Sequence, residues 1–499
     1  MANWASFVVG VVVNLFLSPY IVHTLGDTAY GVWVLVGSLV GYLGLLDLGT
    51  RGAVTKYVAT YHAARRHEDA GRIASTALLL FGGAGLVTIV ASGALALLVN
   101  HVFHVPAELA GVARAVLVLS GLNVAVSLVS GVFGGIVVAR QRFDALNAVN
   151  IVVTLVQTLA IVVALQAGTG LVGLALVQLA VSLLRGGAGA WLSWRIYPEL
   201  ALRRRAWSLA DLRTIVSFGL SASAIHAAGA IINYSDALVI GAFLPVAMVT
   251  LFAIASMMTD QVRAVIAGIS QPLTPMVGAL EGGHRTGDIG AVFLQGARFA
   301  TLTVLPIVLT LEIRGASFIG IWMGPAYAAP VGAVLTVLAI AVWGVAGFQV
   351  ATATMIGINR HRGLIPVFVA EAIVNVVLSI ILLTPFGIVG VAWGTVLPRL
   401  IVSLVVGPLY VRRQVGVPLR TYYTMALLRP AIGMIPFALA TLAIEMRWPA
   451  SNLLGFFGQV VAVLPVAAAG AWFVALTSSE RQALVTVLMP LRFVRGGVS

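Results

Sequence analysis

Apolar runs of about 20 residues, long enough to cross a bilayer as helices, recur between short polar breaks along the whole chain. The runs predict fourteen helices, near residues 4–24, 31–58, 73–99, 112–138, 148–166, 171–194, 214–241, 247–271, 291–320, 328–356, 364–384, 387–411, 421–446 and 453–476. No stretch between them is long enough to hide a soluble domain. The fold class expected is therefore an all-α polytopic membrane protein.

Arginine placement supports the count. Gaps after even-numbered spans, together with the C-terminal tail, hold nineteen arginines, among them Arg65, Arg66, Arg140, Arg142, Arg203, Arg204, Arg205, Arg285, Arg360, Arg412, Arg492 and Arg495. Gaps after odd-numbered spans, with the adjoining span ends, hold only Arg314, Arg447 and, at a span edge, Arg114. Positive charge accumulates on the cytoplasmic side of membrane proteins, so both termini are expected there. One miscounted helix would scramble the alternation.

Composition agrees. The 499 residues are 60% hydrophobic and 9% charged, with a mean hydropathy of +1.06, whereas soluble domains carry roughly 25% charged residues. The net charge of +13 reads as loop arginines that orient the spans, not as a nucleic-acid surface. The first apolar run begins near Trp4 and is itself long enough to span, so no cleavable signal peptide is expected. The absence of cysteine excludes disulfides, thiolate catalysis and cysteine-based metal sites.

A weak self-similarity runs at about 217–221 residues. ARQR at 139–142 pairs with NRHR at 359–362, LVGLA at 171–175 with IVGVA at 388–392, VSL at 181–183 with VSL at 402–404, and LSPYIV at 17–22 with YSDALV at 234–239. An even number of spans separates the copies, so the two halves share one orientation. Parallel repeats of this kind place a substrate path between two lobes. The lobes expected are residues 1–200 and 201–415, with residues 416–499 forming an appended helix pair and tail.

Charges inside spans are costly and mark function or pairing. Asp47 and Arg51 are four residues apart and would share a helix face; with Lys56 nearby they are either a snorkelling pair at the membrane edge or a polar site. Arg399, about eleven residues into the twelfth span, is a candidate to line a cavity, with a structural ion pair as the alternative, and Arg298 in the ninth is a candidate either to line a cavity or to snorkel. Arg185 and Arg429 read as snorkelling arginines, and Arg263 with Asp260 as the end of the eighth span. Asp47, Asp236 and Glu371 are embedded carboxylates that could carry protons or balance the buried arginines. No GxxxxGK[ST] phosphate loop exists, and His101 and His104 lack a third metal ligand. The chain is read as no enzyme, with no cofactor beyond a coupling proton or sodium ion.

Several pieces carry a family resemblance: LGDTAYGVW at 25–33, LLDLGTRGAVTKYVA at 45–59, SDALVIGAFL at 235–244, IWMGPAYA at 321–328, and EAIVNVVLSI with FGIVGVAWGT within 371–395. In this order they resemble the Wzx-type polysaccharide flippases of the multidrug/oligosaccharidyl-lipid/polysaccharide exporter superfamily. DALVIG at 236–241 matches that family's DxxIIG pattern; the short N-terminus departs from it. The resemblance implies an inner-membrane, two-lobe transporter that moves lipid-linked oligosaccharide to the outer leaflet by alternating access, beside polysaccharide polymerases and glycosyltransferases. Arg399, Arg298, Arg51 and Lys56 would then hold a pyrophosphate by charge-assisted contacts. The alternatives are a multidrug or small-solute antiporter of the same fold, a membrane glycosyltransferase or polymerase, and a non-transporting scaffold.

Overall fold

The computed structural model describes residues 2–47, 50–202, 207–478 and 480–482; Arg203, Arg204, Arg205, Arg492 and Arg495 lie outside them. Among the described residues every regular element is helical. In chain order they are α1 (Ala2–Leu25), α2 (Asp27–Leu43), α3 (Thr50–Ala63), α4 (His67–Val102), α5 (Ala107–Ala139), α6 (Phe143–Gln166), α7 (Gly170–Ile196), α8 (Leu209–Phe243) and α9 (Ala247–Ser270). There follow α10 (Leu273–Gly282), α11 (Thr286–Trp322), α12 (Pro325–Gly357), α13 (Ile365–Ile401), α14 (Gly407–Val415), α15 (Leu419–Tyr422), α16 (Arg429–Gly433), α17 (Ile435–Arg447) and α18 (Leu453–Gly470).

Eleven stretches among the described residues are long and apolar enough to cross a membrane, and Val9–Leu25 and Ala227–Phe243 are shorter apolar helices. One of the eleven, the 55-residue run His361–Val415, folds back on itself at Gly387 and so supplies two spans. The expected fourteen are thereby accounted for. Gly387 adopts φ 58° and ψ −140°, a conformation open in practice only to glycine. Past the turn the chain packs against its own preceding half, where a Cβ on Gly394 would stand 2.5 Å from the Ser379 backbone nitrogen.

Four tight turns share one construction. Arg65, Gln141, His284 and Asn359 are the non-glycine residues with positive φ, at 55–57°. In each turn this residue's N–H bonds the carbonyl three positions back, and the following arginine (Arg66, Arg142, Arg285 or Arg360) bonds the carbonyl five back. This closes the helix end in the Schellman manner, which offsets a left-handed cost of roughly 1–2 kcal/mol. Arg66, Arg142 and Arg285 then reach Asp69, Asp144 and Asp288 at the start of the next helix. His284 follows Arg65 by 219 positions and Asn359 follows Gln141 by 218, within the spacing of the sequence repeat.

Three expectations need correction. Residues 31–58 are not one helix: α2 ends at Leu43, and Gly44–Asp47 forms a 3-10 turn before α3. Gly37, Gly41 and Gly44 weaken the helix there, so Asp47 and Arg51 are not a pair on one continuous helical face. Asp260 and Arg263 pair at 2.9 Å in the body of α9, not at its end. Arg314, counted as an outward loop residue, lies within α11 and is 1% exposed.

Packing divides the chain into two compact units, Met1–Ala253 with Ile365–Thr395, and Ile254–Leu364 with Val396–Ser499. These follow packing and are distinct from the chain-order lobes that the repeat predicts. In the first unit, α2 and α5 bury Val32, Leu35, Val36 and Leu117 in one cluster, while α3, α4 and α5 bury Val54, Ile73, Phe81, Leu128 and Ile136 in another. Tyr197, just past α7, closes the second cluster. Its hydroxyl shares a 2.8 Å hydrogen bond with His67 Nδ1, and burial pushes its phenol pKa up.

In the second unit α12 is apolar all round and buried over most of its length, as expected of a central helix. The unit also contains π-helical turns at Val402–Val406, Tyr423–Leu428 and Ala471–Ala475. The first has a clear cause. Pro408 has no N–H to offer the carbonyl of Leu404 four residues back, and the Tyr423 hydroxyl donates to that carbonyl instead, at 2.5 Å.

Candidate functional site

Within the first unit, α13 and α8 build a buried polar ladder. Glu371, Asn375 and Ser379 recur every four residues, so they share one face of α13. All three are buried, as are Ser235 and Asp236 of α8 and Thr395 beyond the Gly387 turn. The Ser235 hydroxyl donates to Asn375 Oδ1 at 3.1 Å. Asn375 Nδ2 in turn donates to Thr395 Oγ1 at 2.8 Å, and Thr395 donates to Asp236 Oδ2 at 2.7 Å. The Ser379 hydroxyl approaches Asp236 Oδ1 at 3.5 Å. The relay runs in one direction and ends on a carboxylate.

Two tyrosines adjoin it. Tyr234 and Tyr42 meet edge to face at 5.7 Å, and Tyr234 lies so close to Gly41 of α2 that a Cβ there would stand 2.5 Å from its ring. The hydroxyl, amide and carboxylate oxygens gathered around Asp236 are hard donors, suited to a proton or a small monovalent cation. Two of the three candidate coupling residues, Asp236 and Glu371, thus share one α8–α13 region. The third, Asp47, closes the 3-10 turn after α2.

The candidate anion-binding residues divide between the units, Arg51 and Lys56 in the first and Arg298 and Arg399 in the second. Lys56 is exposed on α3, its Nζ 5.3 Å from the centre of the Tyr57 ring; Arg51 belongs to α3, with its side chain outside the described residues. Arg399 belongs to the second unit and is half-buried in α13, twelve positions past the Gly387 turn, in a run that continues to Val415. Its carbonyl accepts from the Ser403 hydroxyl at 2.7 Å.

Arg298 has a partner of its own. It is 6% exposed and donates to Glu480 Oε2 at 2.5 Å. Glu480 also accepts from the backbone and hydroxyl of Thr477, which fixes the start of the last described turn. This buried ion pair was not among the readings of Arg298 from the sequence, which were a cavity role or snorkelling.

A second buried pair went unread in the sequence. Arg314 donates to Glu445 Oε2 at 2.7 Å and to Gln459 Oε1 at 2.5 Å, and stacks on the Phe456 ring. The Ser317 hydroxyl completes the coordination of Glu445. Glu312, two positions before Arg314, was also missed, and its Oε1 is buried with no hydrogen-bond partner among the described residues. Searching every apolar run for carboxylates would have found Glu312 and Glu445.

The first 281 residues match the family model described as "Polysaccharide biosynthesis protein". The chain belongs to this polysaccharide biosynthesis family. The membrane protein EpsK of Bacillus subtilis (strain 168), described as uncharacterized, is 21% identical over all of this chain and 98% of its own length. Among solved structures, an inward-facing multidrug resistance MATE transporter of the MOP superfamily matches with a TM-score of 0.70 and 18% identity, covering 81% of this chain and 94% of its own. The lipid II flippase MurJ in an inward closed conformation matches with a TM-score of 0.68 and 12% identity, over 97% of this chain and 98% of its own. This polysaccharide biosynthesis family member thus has the polytopic MATE and MurJ fold.

Proposed function

We propose that this protein is a flippase that carries a polyprenyl-pyrophosphate-linked oligosaccharide from the cytoplasmic to the outer leaflet of the plasma membrane by alternating access. The observation that carries the reading is a polysaccharide biosynthesis family match on a chain whose fold aligns with a lipid II flippase over almost its full length. The physics fits. A sugar pyrophosphate cannot enter hydrocarbon unaided, and an embedded arginine offers a permanent charge and a bidentate donor fork. Arg399 is such a residue, at the middle of its run. The relay to Asp236, with Glu371 and Asp47, is the candidate route for a coupling proton or sodium ion.

A small-solute antiporter of the same fold is the second reading, favoured by the likeness to a multidrug transporter. One assay separates them. Purified full-length protein in liposomes should expose a fluorescent polyprenyl-pyrophosphate oligosaccharide to an external glycosidase, and Arg399→Ala should stop this while Arg399→Lys keeps part of it. No translocation by folded wild-type protein, with drug-stimulated proton flux instead, would favour the antiporter.

A further inference from the structure

Arg185 read as a snorkelling residue, yet it stands eleven positions before the end of α7 at Ile196. At about 1.5 Å per residue this places it about 16 Å from the helix end, near the centre of a hydrocarbon layer about 30 Å thick. It makes no ion pair among the described residues. It lines a cavity of about 400 Å³ between α3, α5, α6 and α7, together with Ser127, Ser130, Ser182, Asn150 and Thr55. A cation there, ringed by neutral hydroxyl and amide groups, is arranged to receive an anion.

Two further depressions adjoin this cavity. At the arginine-rich end, one of about 420 Å³ is lined by Arg140, Arg142, Arg195 and Trp191, and it shares Leu192 with the Arg185 pocket. Arg195 stacks on Trp191 at 5.3 Å, and Trp191 and Trp194 are both exposed, as tryptophans at a membrane–water interface are. The other, about 660 Å³, is an apolar groove between α4, α5 and α7 that shares Ser130 with the pocket. Gly82, Gly85, Gly186 and Gly187 form part of it, and the exposed Leu86 and Leu183 mark its outer edge.

We propose that these three depressions form a binding site for the transported lipid: Arg140, Arg142 and Arg195 receive its phosphates at the interface, Arg185 holds them at mid-depth, and the hydrocarbon chain lies in the α4–α5–α7 groove. The proposal rests on the flippase reading and deepens it. An ordinary phospholipid would engage only the interfacial arginines, because its phosphate stays at the surface. A second basic level near the membrane centre suits a lipid whose head leaves the surface while its chain remains in hydrocarbon. The occupant is therefore a polyprenyl pyrophosphate.

The groove can be blocked without disturbing the fold, because a Cβ on Gly82 or Gly187 would meet nothing within 4 Å. The probe is a polyprenyl pyrophosphate carrying a diazirine near its head, cross-linked to the full-length protein in phosphatidylglycerol nanodiscs and mapped by mass spectrometry. Label should fall on α4, α5 and α7 around the groove. Arg185→Ala, Gly82→Leu and Gly187→Leu should each lower labelling at least about tenfold with unchanged melting temperature. Inorganic pyrophosphate should compete against wild type and the glycine variants but not protect the residual labelling of Arg185→Ala. Labelling confined to other helices, or unchanged in Arg185→Ala and Gly187→Leu, would overturn the site. So would loss of labelling as phosphatidylglycerol content rises, which marks an ordinary phospholipid site. Liposome translocation unaffected by these variants would leave the flippase reading standing without this site. Site-specific labelling with no translocation would do the reverse.

Discussion

Arg314 and Glu445, 131 residues apart in sequence, meet at 2.7 Å inside the second unit. Breaking such a pair strands a buried charge and costs about 3–5 kcal/mol. Arg314→Ala should therefore lower the melting temperature in detergent and reduce membrane abundance, with any loss of transport following abundance. Arg314→Met combined with Glu445→Leu should recover most of the stability. A stable Arg314→Ala protein that has lost transport would instead give this arginine a direct role.

Arg298 makes a different prediction from the one its depth suggests. Removing it takes one charge-assisted hydrogen bond from Glu480, worth about 1.5–3 kcal/mol, while Thr477 still holds the carboxylate. Arg298→Ala and Glu480→Gln should each destabilise, and the double variant should cost less than their sum. Lipid affinity measured on the folded fraction should stay at the wild-type value. A selective loss of affinity in Arg298→Ala alone would return the residue to the binding site.

These two pairs show where sequence reading stops. The spans were legible because each is a continuous apolar run, and Asp236 and Glu371 because a lone carboxylate within such a run is conspicuous. The four Schellman turns were partly legible, as arginines at a fixed period. The partners of Arg298 and Arg314 lie 182 and 131 positions away, and no local period links them. The depth of Arg185 was not legible, because it depends on where α7 ends and on which groups α3, α5 and α6 bring beside it. The break after α2 was missed because apolar content hid a glycine-weakened turn.

The relay to Asp236 can be tested for coupling. Asp236→Asn keeps an acceptor for Thr395 but cannot cycle between charged and neutral forms, so the protein should fold while translocation loses its dependence on the proton or sodium gradient. Thr395→Val removes the donor and should lower stability by roughly 1–3 kcal/mol. Glu371→Gln and Asp47→Asn complete the set. Transport that responds to the gradient as wild type does in all three carboxylate variants would exclude them from coupling.

The turns carry a prediction of membrane orientation. Arg66, Arg142, Arg285 and Arg360 occupy one backbone position in four equivalent turns, so a single membrane face should carry all four, and positive charge accumulates on the cytoplasmic face. The chain lacks cysteine, so single cysteines can report sidedness against a silent background. His104→Cys and Ala326→Cys, both exposed at the opposite ends of their helices, should react with an impermeant maleimide in intact cells. Arg285→Cys and Arg412→Cys should react only after permeabilisation; Arg204, a further inner marker by its sequence, lies outside the described residues. External labelling at 285 would invert the arrangement. It would also place the Arg140–Arg142–Arg195 depression on the outer face, where it could receive a lipid only after the crossing.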